Sequence, residues 1–136
     1  MSEIVYWGIL LTPQSKAQLL GHFPPKHAKV YAEHITLVFG PTAEENKLLS
    51  KRLGEKVKFK VITTMSDEKG QAVGVLTDPE RLDGKAAHIT ISCSPDTKPV
   101  YSNTLMEKAK DEFCCISPFD LDGVVAKYTK QGWKTS

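Results

Sequence analysis

The chain has 136 residues, 40% hydrophobic and 25% charged, with a formal net charge of +2. That length buries one core, and the composition excludes a disordered or collagen-like chain. The weak positive charge gives no argument for a long basic nucleic-acid track but is compatible with a small anionic ligand.

Ile4 to Leu11 (IVYWGILL) is rich in β-branched and aromatic residues and predicts a buried strand. Thr12 and Pro13 open a helix as cap and first-turn residue, and Gly21 with Pro24-Pro25 ends it. Val30 to Phe39 reads as the next strand, closed by Gly40-Pro41. Thr42 with Glu45 forms a capping box for a helix to about Leu53. Val57 to Thr64 alternates as a half-buried strand, turns at Asp67 to Gly70, and pairs with Gln71 to Thr77. A polar loop covers Asp78 to Lys85, and His88 to Cys93 is a strand. A helix follows over about Ser102 to Glu112, then a strand near Phe119 to Tyr128 and a polar tail. The order β-α-β-α-β-β-β-α-β without a linker predicts one α+β domain over 1–136, with helices outside the sheets.

One tetrapeptide pattern occurs twice: His34-Ile35-Thr36-Leu37 and His88-Ile89-Thr90-Ile91. Strand side chains alternate faces, so each copy turns its aliphatic pair to a core and its His and Thr to the other side. The His and Thr then lie roughly 6.5–7 Å apart, a spacing that suits a phosphate lodged between two such strands. Phosphodiester hydrolysis needs a base to deprotonate the attacking water and an acid to protonate the leaving oxygen. Histidine does either near neutrality, and threonine hydroxyls stabilise charge on the phosphoryl oxygens. His34 and His88 are therefore the catalytic candidates, and Thr36 and Thr90 the phosphate-binding ones. A single His-x-Thr in a strand is more often structural; its repetition favours chemistry. A zinc site needs three or four clustered ligands, and His22 and His27 lie in a proline-flanked loop without such a pattern. No metal and no cofactor is expected.

At these residues the chain resembles the two-histidine phosphoesterase superfamily, and most of all the cyclic phosphodiesterase domain of fungal and plant tRNA ligases. The words that carry the likeness are EHITLVFG (Glu33 to Gly40), the middle hairpin, HITISCS (His88 to Ser94), SNTL (Ser102 to Leu105) and LDGVV (Leu121 to Val125). The resemblance implies a bilobal, pseudo-symmetric α+β fold with two antiparallel sheets facing a central cleft. It implies hydrolysis of RNA 2′,3′-cyclic phosphate ends to 2′-phosphates in RNA repair or tRNA splicing. It carries over His34, Thr36, His88 and Thr90. The chain departs from those ligases in two respects. It has no Lys-x-Asp-Gly nucleophile, since Arg81-Leu82 precedes Asp83-Gly84, and no Gly-x-x-x-x-Gly-Lys loop. The resemblance therefore implies end opening without sealing, either by a free-standing enzyme or with separate RNA ligase and kinase proteins as partners.

For base stacking the candidates are Tyr6, Trp7, Tyr31, Phe39 and Tyr101, with Tyr101 preferred because it lies in a loop just past the second motif. Lys98 and Lys29 flank the motif strands as candidate phosphate contacts. Trp133 either covers the cleft or is a plain chain end. Three cysteines, with Cys114 and Cys115 adjacent, read as reduced thiols rather than a disulfide framework. No membrane span or signal segment is evident, so the expectation is a cytoplasmic or nuclear monomer. Two further readings stay open: cleavage of 2′,5′-linked or cyclic oligonucleotides or of a cyclic phosphate on ADP-ribose, and a non-catalytic module gripping RNA phosphate ends.

Overall fold

The computed structural model describes residues 4–82, 84–112 and 115–136, without the side chains of 109–112 and 115. The adjacent-cysteine reading, on Cys114 and the Cys115 side chain, lies outside the described residues. Strand β1 (Ile4–Leu11) leads into helix α1 (Pro13–His22), whose cap is the Thr12 hydroxyl accepting from Ser15 N at 3.1 Å. Helix α2 (Ala43–Ser50) starts on a full capping box. Glu45 N donates to the Thr42 hydroxyl at 3.1 Å, and Thr42 N donates to the Glu45 carboxylate at 2.9 Å. Strand β4 (Lys56–Ser66) buries Val57, Phe59 and Val61 and exposes the lysines between them. Its turn to β5 (Gly70–Leu76) is held by the Asp67 carboxylate, which accepts from Lys69 N and Gly70 N. Strand β6 (His88–Cys93), a 3-10 turn (Pro99–Tyr101), α3 (Ser102–Glu112) and β7 (Cys115–Thr129) follow.

The stretch Val30 to Phe39, expected as one strand, is two. Strand β2 (Lys29–Val30) pairs with β6, and β3 (His34–Phe39) pairs with β1. Between them Ala32 adopts φ 55°, a left-handed conformation that costs an alanine roughly 1–3 kcal/mol. The bend is held on one side by Tyr31 N and Ala32 N donating to the Ile91 and Thr90 carbonyls, both at 2.8 Å. On the other side the Glu33 carbonyl accepts from Leu11 N at 2.9 Å. The polar tail likewise contains a short strand, β8 (Gly132–Lys134), paired with β7.

The sheet order is β2-β6-β5-β4-β7-β1-β3, with β8 on β7, and each of these pairs is antiparallel. Strand β7, 15 residues long, pairs with β4 along its first part and with β1 along its second. The two sheets implied by the resemblance are therefore joined into one eight-stranded path, and the strand pairing draws no boundary between two lobes. Among the described residues the architecture is α+β with three α-helices. The two ends of the path return toward each other, since β3 and β6 lie side by side without pairing.

The core follows from the alternation in the motif strands. Ile35, Leu37, Ile89 and Ile91 are fully buried and join Trp7, Ile9 and Val73, with Leu19 from α1 and Leu49 from α2. Each such side chain contributes about 1.5–3 kcal/mol of burial. A second, smaller cluster forms where Leu105 and Met106 of α3 cover Ala72 of β5. The polar residues of both motifs are thus held on strands anchored from behind.

Candidate active site

His34, Thr36, His88 and Thr90 all line one cleft of about 590 Å³. The crossing at Ala32 accounts for their meeting. Strand β2 pairs with β6, and the link over residues 31–33 carries the chain from β2 into β3, so the two motif strands lie side by side although far apart in sequence. The register places Leu10 opposite His34, Gly8 opposite Thr36, Gly74 opposite His88 and Ala72 opposite Thr90. Directly opposed strand residues share a face, so small neighbours leave room beside three of the four polar side chains.

His34 lies in an aromatic box. Tyr6 stacks on it with ring centroids 5.4 Å apart, and Trp133 of β8 packs against it at 5.1 Å. Trp133 also meets Tyr6 edge-on at 5.4 Å. Gly8 makes the box possible: a Cβ there would come 2.6 Å from the Ile35 carbonyl and 3.2 Å from the Trp133 ring. Burial, and secondarily the nearby His88, lower the His34 imidazole to about 4. His34 is therefore neutral at pH 7. Burial, followed by Tyr128 and Glu33, pushes the Tyr6 phenol up to about 12, so it keeps its proton.

His88 is fixed differently. Its Nδ1 lies 3.0 Å from the Ala86 carbonyl oxygen. A carbonyl only accepts, so Nδ1 carries the proton and Nε2 is the nitrogen that exchanges one. The side chain is only 8% exposed. The Thr90 hydroxyl lies 2.7 Å from that of buried Ser102 and 3.4 Å from the Pro99 carbonyl, so the start of α3 orients it. Two hydroxyls and two imidazoles thus face one space, enough to bind an anion and move protons on either side of it.

The remaining sequence candidates are distributed. Tyr6, Tyr31 and Phe39 line the cleft, whereas Trp7 is buried and its indole N–H donates to Asn46 of α2 at 2.8 Å. Tyr101 and Lys98 are not brought into the cleft; they line an adjoining groove, where the Tyr101 hydroxyl donates to Asp67 at 2.5 Å. Lys29 also points away, donating to the Thr97 carbonyl at 2.7 Å. His22 stacks on Phe119 and His27 contacts the Asp67 carbonyl, so neither joins the motif histidines. Among the described residues no group of three or more His, Cys, Asp or Glu is placed to hold a metal, and no helix is long and apolar enough to cross a membrane.

Three features were missed in sequence. Arg81 and Lys85 reach the cleft from what read as a polar loop. Ser102, read as a helix start, is a partner of Thr90. Gly8, inside an otherwise bulky strand, was the one readable signal, because a strand glycine often marks a close approach.

No family model and no curated protein matches the chain. The fold is nevertheless shared with a solved structure. That structure is a fungal RNA kinase, similar with a TM-score of 0.58 at 18% identity over 93% of this chain. The match covers 42% of the kinase chain, so this protein spans less than half of its length.

Proposed function

We propose that the protein hydrolyses RNA 2′,3′-cyclic phosphate ends to 2′-phosphates without a metal, using His34 as general base and His88 as general acid. The observation that carries this reading is the convergence of both His and Thr pairs on one cleft. Neutral His34 takes a proton from water as the water oxygen bonds to phosphorus. The P–O3′ bond breaks, and His88 gives its Nε2 proton to the departing 3′ oxygen while its Nδ1–H stays on Ala86. Two protons move, one at each histidine, and the net change is addition of one water. Thr36 and Thr90 donate to the non-bridging oxygens as charge builds there. The bound phosphodiester anion supplies the countercharge for an imidazolium in the cleft. Arg81 and Lys85 add positive charge to the cleft lining. Phe39 (70% exposed) and Val100 (69% exposed) offer apolar surface from the two motif sides to a nucleobase. The fold shared with a protein described as an RNA kinase is in keeping with RNA as substrate.

The test is a short RNA ending in a 2′,3′-cyclic phosphate, incubated with EDTA, followed by identification of the terminal phosphate. The expected product is a 2′-phosphate, absent with His34→Ala and with His88→Ala. Loss of activity in EDTA would overturn the two-histidine mechanism. An untouched RNA would shift the reading to 2′,5′-linked or cyclic oligonucleotides.

A further inference from the structure

Beside the cleft lies a second groove of about 780 Å³ with no part in the chemistry above. The two are continuous, for Val100 and Asn103 line both. From that shared rim the groove runs past Lys98 and Tyr101 to Lys69 on the β4–β5 turn. Lys98 and Lys69 are exposed, and neither is paired with a carboxylate among the described residues. The carboxylate nearest the Tyr101 ring, Asp67, is already engaged. It accepts from the Tyr101 hydroxyl, from Lys108 at 3.0 Å and from two backbone N–H groups. Although burial acts to raise its pKa, these hydrogen bonds hold it well below the usual carboxylate range. They also fix the half-exposed Tyr101 ring, with the Lys69 ammonium 5.8 Å from its centroid. One carboxylate, Asp96, lines the groove against the two lysines.

Two lysines without a carboxylate partner among the described residues and a fixed aromatic ring, lining a groove that shares its rim with the phosphate cleft, match a single-stranded nucleic acid, which alternates phosphates and stacking faces. We infer that this groove holds the nucleotides 5′ of the cyclic phosphate, so that the substrate is an RNA strand rather than a cyclic mononucleotide. The terminal nucleotide occupies the cleft. The strand crosses Val100 and Asn103, and the next phosphates meet Lys98 and Lys69. This inference rests on the proposed phosphodiesterase reading for its catalytic consequence but not for its binding consequence.

The experiment compares kcat/KM for a 2′,3′-cyclic mononucleotide and for a tetranucleotide RNA with the same 3′ end, in the wild type and in the Lys69→Ala/Lys98→Ala variant. Binding of a 5′-fluorescent tetranucleotide is followed by anisotropy in parallel. The wild type is expected to prefer the tetranucleotide by roughly tenfold or more, and the double variant to lose that preference. The salt dependence of tetranucleotide binding should flatten, its log–log slope falling by roughly 1.4 for two single-strand phosphate contacts. Equal kcat/KM for both substrates in the wild type, or a preference and salt slope unchanged in the variant, would overturn the groove while leaving the phosphodiesterase standing. If neither substrate turns over, the phosphodiesterase reading fails, and the anisotropy series alone decides: weakened, salt-insensitive binding in the variant supports the groove, and unchanged binding rejects it.

Discussion

The two copies of the His-Ile-Thr motif have the same sequence pattern and opposite surroundings. His34 is flanked by the rings of Tyr6 and Trp133, which add no hydrogen bond through their faces. His88 is oriented by a backbone carbonyl, and its companion Thr90 by Ser102. Desolvation, and secondarily the nearby His88, disfavour the charged form of His34, whereas a carbonyl on Nδ1 of His88 fixes which nitrogen exchanges a proton. A sequence repeat therefore does not imply a repeated role: the chemistry of each copy is set by what the fold places around it.

The strongest test of that division is removal of either imidazole. His34→Ala and His88→Ala should each lower turnover by roughly 10²–10⁴-fold, the usual range for a proton-transfer group, with the folded state retained by circular dichroism. Thr36→Val and Thr90→Val should each reduce kcat by roughly 10²-fold through lost stabilisation of the phosphoryl oxygens. Ser102→Ala, which disturbs only the second motif, should cost less than Thr90→Val and should leave the His34 titration where it is. Equal losses for Ser102→Ala and Thr90→Val would mean that orientation, not the hydroxyl itself, matters there.

Trp133→Ala sharpens the comparison from the other side. Uncovering His34 should raise its imidazole from about 4 toward the ordinary 6.5 and move the acid limb of the pH–rate profile upward with it. The His88 resonance should be much less affected, and a histidine NMR titration distinguishes the two. The smallest effect is on stability. The folded His34 holds its proton less tightly than the unfolded one, so the unfolded state binds more protons between about pH 4 and 6.5. Stability is then full above pH 6.5 and declines as pH falls toward 4, by on the order of 2–3 kcal/mol from this group. Urea unfolding midpoints across that range should show the decline, and His34→Gln should flatten it.

Local signals were readable and long-range ones were not. Ile4–Leu11 and His88–Cys93 form the strands expected, and the Thr12 cap and the Thr42–Glu45 capping box stand where their chemistry places them. These depend on neighbours within a few residues. The division of Val30 to Phe39 was hidden because alanine carries no sign of a left-handed bend; hydrogen bonds to Ile91 and Thr90, far along the chain, hold Ala32 there. Trp133 was ambiguous because the tail is polar and β8 has only three residues, so its seat depends on β7 and on the space above Gly8. Tyr101 lies near the second motif in sequence, yet the 3-10 turn directs its hydroxyl to Asp67. Arg81 and Lys85 carried no pattern, since a loop's reach is decided by the strands on either side of it.

The turn at Ala32 also has a mechanical consequence. The walls of the cleft are the motif strands β3 and β6, far apart in sequence, and the link that leads into β3 is stapled to β6 by the Tyr31 and Ala32 N–H groups. Spreading the walls would tear those two hydrogen bonds and expose a fully buried methyl group. The staple accordingly opposes widening of the cleft. The backbone amides of Tyr31 and Ala32 should therefore exchange slowly with solvent, and a hydrogen-exchange time course on the free protein checks this.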